Sequence, residues 1–297
     1  MLASIRQTGD AVIAIVGGLA TAVLWATTLL GSARSARLIG SWSTLAWVML
    51  IGLVVTVPLV LAGPPVTLTE REIVFLSAAG IANSGGLLLV YTALRRGKVA
   101  VVGPIVSTEG AIGATLAILA GDPIAGPAVA ILALIAVGVV MAAIERRSPE
   151  AEADVATVSA VGTALLALGG AVLFGINLYA TSRIAADLPI AWAVLPARVA
   201  GVVGVTIPLV LMRRLRLTRP AVPFVILVGI AEVMGTATYA WGARESAAIA
   251  AVLASQFAGI AAIFAFVVWG ERLSRVQVVG VVTIAIGVAL LAALQAA

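Results

Sequence analysis

The 297-residue sequence has no cysteine and no histidine, and only 10% of it is charged. Without cysteine there is no disulfide framework and no thiol chemistry. Without histidine the commonest proton shuttle and metal ligand is missing, so neither a metal site nor a cofactor is expected. The shortage of charge excludes a soluble globule. Such a domain carries about 25% charged and about 45–50% apolar residues; here 62% are hydrophobic and the mean hydropathy is +1.20. The apolar runs are continuous, without the two-residue alternation of a membrane β-barrel. There is no Gly-x-x-x-x-Gly-Lys-Ser/Thr motif, so the sequence shows no phosphate-binding loop of an ATPase. There is no His-Glu-x-x-His and no pair of aspartates within the apolar runs, so an intramembrane enzyme is not expected. The net charge of +5 and pI near 10.7 would suit nucleic acid. The arginines, however, sit in short clusters between apolar runs, where they set membrane topology. Nucleic acid is therefore not an expected partner; the lipid bilayer is.

What remains is an all-α membrane protein. A spanning helix needs about 20 apolar residues, and the sequence predicts ten transmembrane helices in two inverted five-helix repeats. The first five lie near Ala11–Gly31, Ile39–Ala62, Glu72–Leu94, Val99–Ala120 and Ile124–Ile144. The second five lie near Thr157–Ala180, Leu188–Met212, Ala221–Ala243, Ser246–Trp269 and Val276–Leu294. The first run has no short core with a small-residue cleavage site, so it reads as a span and not a signal peptide. A polar linker, Glu145–Asp154, falls near the midpoint. It divides residues 1–144 from 157–297, with 145–156 as the link.

The halves resemble each other. Gly80-Ile81-Ala82-Asn83 returns as Gly229-Ile230-Ala231-Glu232, and Val55-Thr56-Val57-Pro58-Leu59-Val60-Leu61 as Val205-Thr206-Ile207-Pro208-Leu209-Val210-Leu211. Five spans per unit is odd, so the copies must cross the membrane in opposite senses. Inverted repeats usually hold a substrate near the midplane, between them. The N-terminus and even-numbered loops carry four Lys or Arg against thirteen in the odd-numbered loops. That bias predicts odd loops in the cytoplasm and both termini outside.

Ionisable residues inside apolar runs are the functional candidates, because a charge at that depth costs at least ~2.5–3.5 kcal/mol on insertion scales. Glu109 lies about halfway along its run. It needs a buried partner, a wet cavity or a proton held at neutral pH. Glu232 sits in a later run, with Thr236 and Tyr239 at i+4 and i+7 on one helical stripe. Arg198 is the only basic residue deep in a span, and Arg stays charged. It requires an acid or an anionic ligand, and Glu109 and Glu232 are the only acids at similar depth. Asn83, Asn177 and Gln256 could donate to a substrate or simply join helices. Trp25, placed mid-span, could wall a cavity, as could Tyr91, Trp192 and Trp241.

Trp269-Gly270-Glu271-Arg272, followed by Gln277 and Gly280 at the start of the last span, closely resembles the closing signature of EamA-type members of the drug/metabolite transporter superfamily. Ala120-Gly121-Asp122-Pro123 is a worn copy in the first half. The resemblance implies a ten-helix inverted-repeat carrier with a central cavity, moving metabolites, amino acids or drugs, often outward. Glu109 is similar to the membrane Glu of the threonine/homoserine exporter branch, while the second copy has Ala258 there. Glu271 and Arg272 read as helix-end structure and gating.

The expected function is a secondary active transporter in the cell inner (plasma) membrane. It would export a small amino-acid-like or cationic metabolite or drug by alternating access, with proton coupling through Glu109 or Glu232, as a monomer or homodimer. The alternative is a facilitative carrier or channel for a small solute without proton coupling.

Overall fold

The structure, a computed structural model, describes residues 2–121, 126–143, 160–184, 188–254, 256–270 and 273–296. Over these residues it is an all-α bundle of ten helices, two of them interrupted. The first half contributes α1 (Leu2–Ile39), α2 (Ser41–Leu61), α3 (Glu70–Arg96), the interrupted pair α4 (Val99–Val106) and α5 (Glu109–Leu119), and α6 (Gly126–Ala143). After α7 (Ala160–Ser182), α8 (Ile190–Gly201) passes through a π-helical turn at Val202–Thr206 into α9 (Ile207–Leu211). A 3-10 turn at Arg219–Ala221 leads to α10 (Val222–Ala254), α11 (Phe257–Trp269) and α12 (Arg275–Ala296). The linker at 145–156, the worn motif at Asp122-Pro123 and the pair Glu271-Arg272 lie outside the described residues.

The expectation of ten spanning helices is corrected. Among the described residues, six helical stretches are long and apolar enough to cross a bilayer: Val12–Ile39, Ser41–Leu61, Glu70–Arg96, Val161–Thr181, Ile190–Leu211 and Arg219–Gly242. Val99–Gly113, Phe257–Trp269 and Arg275–Gly287 are shorter apolar stretches. Two local causes account for the predicted fourth and ninth spans. In the fourth, Pro104 removes a backbone donor inside α4. The Ser107 and Thr108 hydroxyls then donate back to the Pro104 and Ile105 carbonyls at 2.8 and 2.7 Å. The helix breaks there, one residue before Glu109.

In the ninth, no Gly or Pro stands between Ala243 and Ala254 to stop α10. The alanine-rich segment prolongs α10 to 33 residues. It leaves α11 with 13 residues, about 20 Å at 1.5 Å per residue against a hydrocarbon core of about 30 Å.

Helix ends are set by short-range chemistry. Thr69 and Glu72 form a reciprocal capping box at the start of α3. Ser274 and Gln277 do the same for α12, at 3.0 and 3.3 Å. Gly270 ends α11 in the left-handed region at φ 65°, where a side chain would be strained.

Lipid tails are as apolar as leucine, so helices in a bilayer associate through close packing of small residues. The most extensive pairing joins α1 to α10. A Cβ on Gly17 would stand 2.7 Å from the Gly242 Cα, and Thr21 and Thr238 share a hydrogen bond at 3.0 Å. Gly80 on α3 admits the Pro196 carbonyl of α8, and Gly86 admits Phe174 of α7. Gly287 on α12 makes room for Ile135 of α6. Each of these seams joins a residue before the linker to one after it.

The two ends of the bundle differ. At one end Arg37 donates to the Gly97 carbonyl at 3.0 Å, Trp47 Nε1 donates to the Arg216 carbonyl at 3.0 Å, and the Arg216 N–H donates to Ser43 at 3.2 Å. These bonds gather the α1–α2, α3–α4 and α9–α10 connections, which are rich in arginine. The α2–α3 and α7–α8 connections meet at the other end. There Leu76, Ile184 and Leu188 form a small apolar cluster with Val66, Leu68 and Trp192.

Candidate functional site

A cavity of about 510 Å³ opens among α1, α3, α5, α7, α8 and α10, within the ~300–1,000 Å³ range of small-molecule sites. Its lining runs from Tyr91 and Val106 in the interior to Ile184, Leu188, Trp192 and Arg244 toward the cation-poor end. Of the residues singled out in the sequence, Trp25, Asn83, Glu109 and Asn177 line it, as do Arg198, Glu232 and Tyr239. Gln256 does not: it is exposed at the start of α11. Tyr91 and Trp192 are in the wall, whereas Trp241 is exposed outside it.

Arg198 is 1% exposed and is the largest fully buried side chain described. Its Nη2 lies 3.4 Å from Glu232 Oε1. Its Nη1 approaches the Met49 sulfur at 3.7 Å, and its Nε has no hydrogen-bond partner. Space for the guanidinium comes from α2, where a Cβ on Gly52 would fall 2.7 Å from Arg198 Cδ. The pair therefore ties α8 to α10 across α2. It accounts for one of the two deep acids.

Glu109 is the other. The break at Ser107-Thr108 makes it the first residue of α5, so the positive end of the α5 dipole lies at the carboxylate. Among the described residues it makes no hydrogen bond and no ion pair. Around the same space Trp25 stacks at a tilt on Tyr239 at 5.7 Å and edge-on to Phe257 at 5.9 Å. Gly235 lets the indole approach α10 closely, since a Cβ there would stand 2.6 Å from Trp25 Cδ1. Asn83 Oδ1, the Tyr91 hydroxyl and Thr28 Oγ1 are buried without a hydrogen-bond partner. Each unpaired group costs about 1–3 kcal/mol, which a polar ligand would offset.

Sequence reasoning missed Thr28 and Ser32, Phe174 and Phe257, and Arg244, all of which belong to the lining. A signal existed for the first two: Trp25, Thr28 and Ser32 stand at i, i+3 and i+7, one helical face. Arg244 falls between the predicted spans Ala221–Ala243 and Ser246–Trp269, whereas α10 runs on through that position.

The family model of the EamA-like transporters matches twice, over residues 12–144 and 162–293. The chain belongs to the EamA-like transporter family. Membership makes it a multi-pass membrane transporter within the drug/metabolite transporter superfamily, not an enzyme. No curated protein sequence matches this EamA-like transporter. Among solved structures, 26 chains match. One, described only as the crystal structure of a protein, is 19% identical with a TM-score of 0.65, over 95% of this chain and 96% of its own. At that identity the likeness establishes the fold alone.

Proposed function

We propose that this EamA-like transporter is a secondary active exporter of a small cationic or amino-acid-like solute, driven by proton exchange at Glu109. The observation that carries the reading is the unequal state of the two deep acids. Glu232 is taken by Arg198, whereas Glu109 lines the cavity without a partner among the described residues. A carboxylate in that position takes either a proton or an ammonium group, and competition between them gives exchange without further machinery. Trp25 and Tyr239 supply ring faces for a cation. Asn177 and Asn83 orient a carbonyl or carboxylate at the other end of the solute.

Alternating access requires the halves to shift against each other. The seam between α1 and α10, where Gly17 meets Gly242, is built of small residues and suits such a movement. We take residues 1–144 and 157–297 as duplicated units and place the protein in the inner (plasma) membrane, with the arginine-rich end in the cytoplasm. The cavity then faces outward.

The test is flux into proteoliposomes, with and without a pH gradient, across a panel of amino acids and organic cations. Wild type should accumulate its solute only with the gradient. Glu109→Gln should abolish gradient-driven accumulation while the protein remains folded. Unchanged pH dependence in that variant would rule out Glu109 as the coupling group.

A further inference from the structure

We propose that the strap 213–219, between α9 and α10, is a headgroup-binding site for acidic phospholipids. It goes beyond the transport reading and does not depend on it. The strap reads Arg213-Arg214-Leu215-Arg216-Leu217-Thr218-Arg219. All four guanidinium-bearing residues are exposed, and among the described residues none is in an ion pair. The corresponding turn after α2, Gly63-Pro64-Pro65, follows the same Pro-bearing heptad and carries no charge. The charge is therefore a property of this strap and not of the turn as such.

Its backbone is fixed. The Arg214 N–H donates to the Leu209 carbonyl at 2.8 Å and the Arg213 N–H to Val210 at 2.9 Å, which closes α9 in a Schellman motif. The residue at the left-handed position of that motif is usually Gly. Here it is Arg213, at φ 53°, the only described non-glycine residue with positive φ. A side chain is held in a disfavoured conformation where glycine would relax it, as residues retained for a ligand often are. Further along, Trp47 and Ser43 grip the backbone of Arg216 from both its carbonyl and its N–H. Leu215 turns inward against the core.

The apolar neighbours identify the occupant. Leu211, Met212 and Leu217 are 77%, 64% and 43% exposed, and they alternate with or flank the arginines. A surface that presents guanidinium groups beside exposed aliphatic side chains matches the boundary between phosphate headgroups and acyl chains. Acidic lipids supply both. Basic residues at an acidic bilayer surface each strengthen binding about fivefold.

The purified full-length protein in neutral mixed micelles provides the test. Phosphatidylglycerol or phosphatidylcholine is titrated in, the unfolding temperature is followed, and retained lipid is weighed by native mass spectrometry. Phosphatidylglycerol should raise the unfolding temperature and be retained, phosphatidylcholine should do neither, and added salt should weaken the effect. Arg214→Gln with Arg216→Gln should reduce lipid affinity about 25-fold, two fivefold steps, whereas the two lysine substitutions should keep most of it. Arg213→Gly should lose one fivefold step yet be at least as stable as wild type without lipid. Equal effects of the two lipids on wild type would overturn the proposal without recourse to any variant. So would a full response in the Gln double variant, or an equal shift from inorganic phosphate alone.

Discussion

Glu232→Gln leaves the shape of α10 intact but removes the carboxylate that neutralises Arg198. The pair is separated by 3.4 Å, with side-chain exposures of 1% and 7%. At an effective dielectric of about 20, opposite charges at that distance attract by roughly 5 kcal/mol. Loss of one partner from a buried pair typically costs ~3–5 kcal/mol, since the other charge stays behind. Gln keeps one acceptor oxygen, and the pair borders the cavity instead of being sealed in the core, so the lower end applies. About 3 kcal/mol is a factor of roughly 150 in the folded-to-unfolded ratio. Arg198 has little to fall back on, with Nε unpaired and Nη1 resting on a thioether.

The assay is the yield of monodisperse protein and its unfolding temperature in detergent. Glu232→Gln should lose heavily in both, and Glu109→Gln, which breaks no pair, should lose little. Arg198→Met with Glu232→Met should recover much of the loss, because a buried pair replaced as a unit by apolar side chains is often neutral. If Glu232→Gln is as stable as wild type, or Glu109→Gln is the worse of the two, the assignment of the ion pair is wrong.

Two further outcomes follow from the packing and the charge distribution. Gly17→Ala should destabilise the protein by about 1–3 kcal/mol, because its Cβ would meet backbone of α10 at 2.7 Å and backbone cannot rotate away; thermal unfolding in detergent measures this. The absence of native cysteine makes single-cysteine labelling clean: Thr67→Cys should react with an impermeant maleimide in intact cells, Thr218→Cys only after lysis, and the reverse pattern would invert the orientation.

Membrane class, helical content and the deep charged and amide residues of the cavity lining were legible because a charge or amide in an apolar run is conspicuous. Arg198, Glu109, Glu232, Asn83 and Asn177 could be picked out from hydropathy alone. The count of spanning helices could not. Hydropathy averages over a window and does not see that Pro104, Ser107 and Thr108 divide one run, or that α10 continues through Arg244. The choice of Glu232 over Glu109 as the partner of Arg198 was equally hidden. It depends on the space left by Gly52, a distance between α2 and α8 that no local pattern encodes. Gln256, near the middle of the expected ninth span, stands instead at the N-cap of a short helix, where it is exposed.

The seam between α1 and α10 bears on how the protein is made. Thr21 and Thr238 are 217 positions apart, and α10 is the most extensive neighbour α1 has. At ~5–20 residues per second, roughly 10–40 s separates the synthesis of the two helices. Throughout that interval the stripe of Gly17, Gly18 and Thr21 on α1 faces lipid or the insertion machinery instead of its mate. Native packing of α1 therefore waits until α10 has been made. A ribosome that stalls before α10 leaves behind a product in which α1 lacks its most extensive partner, which quality-control proteases can recognise.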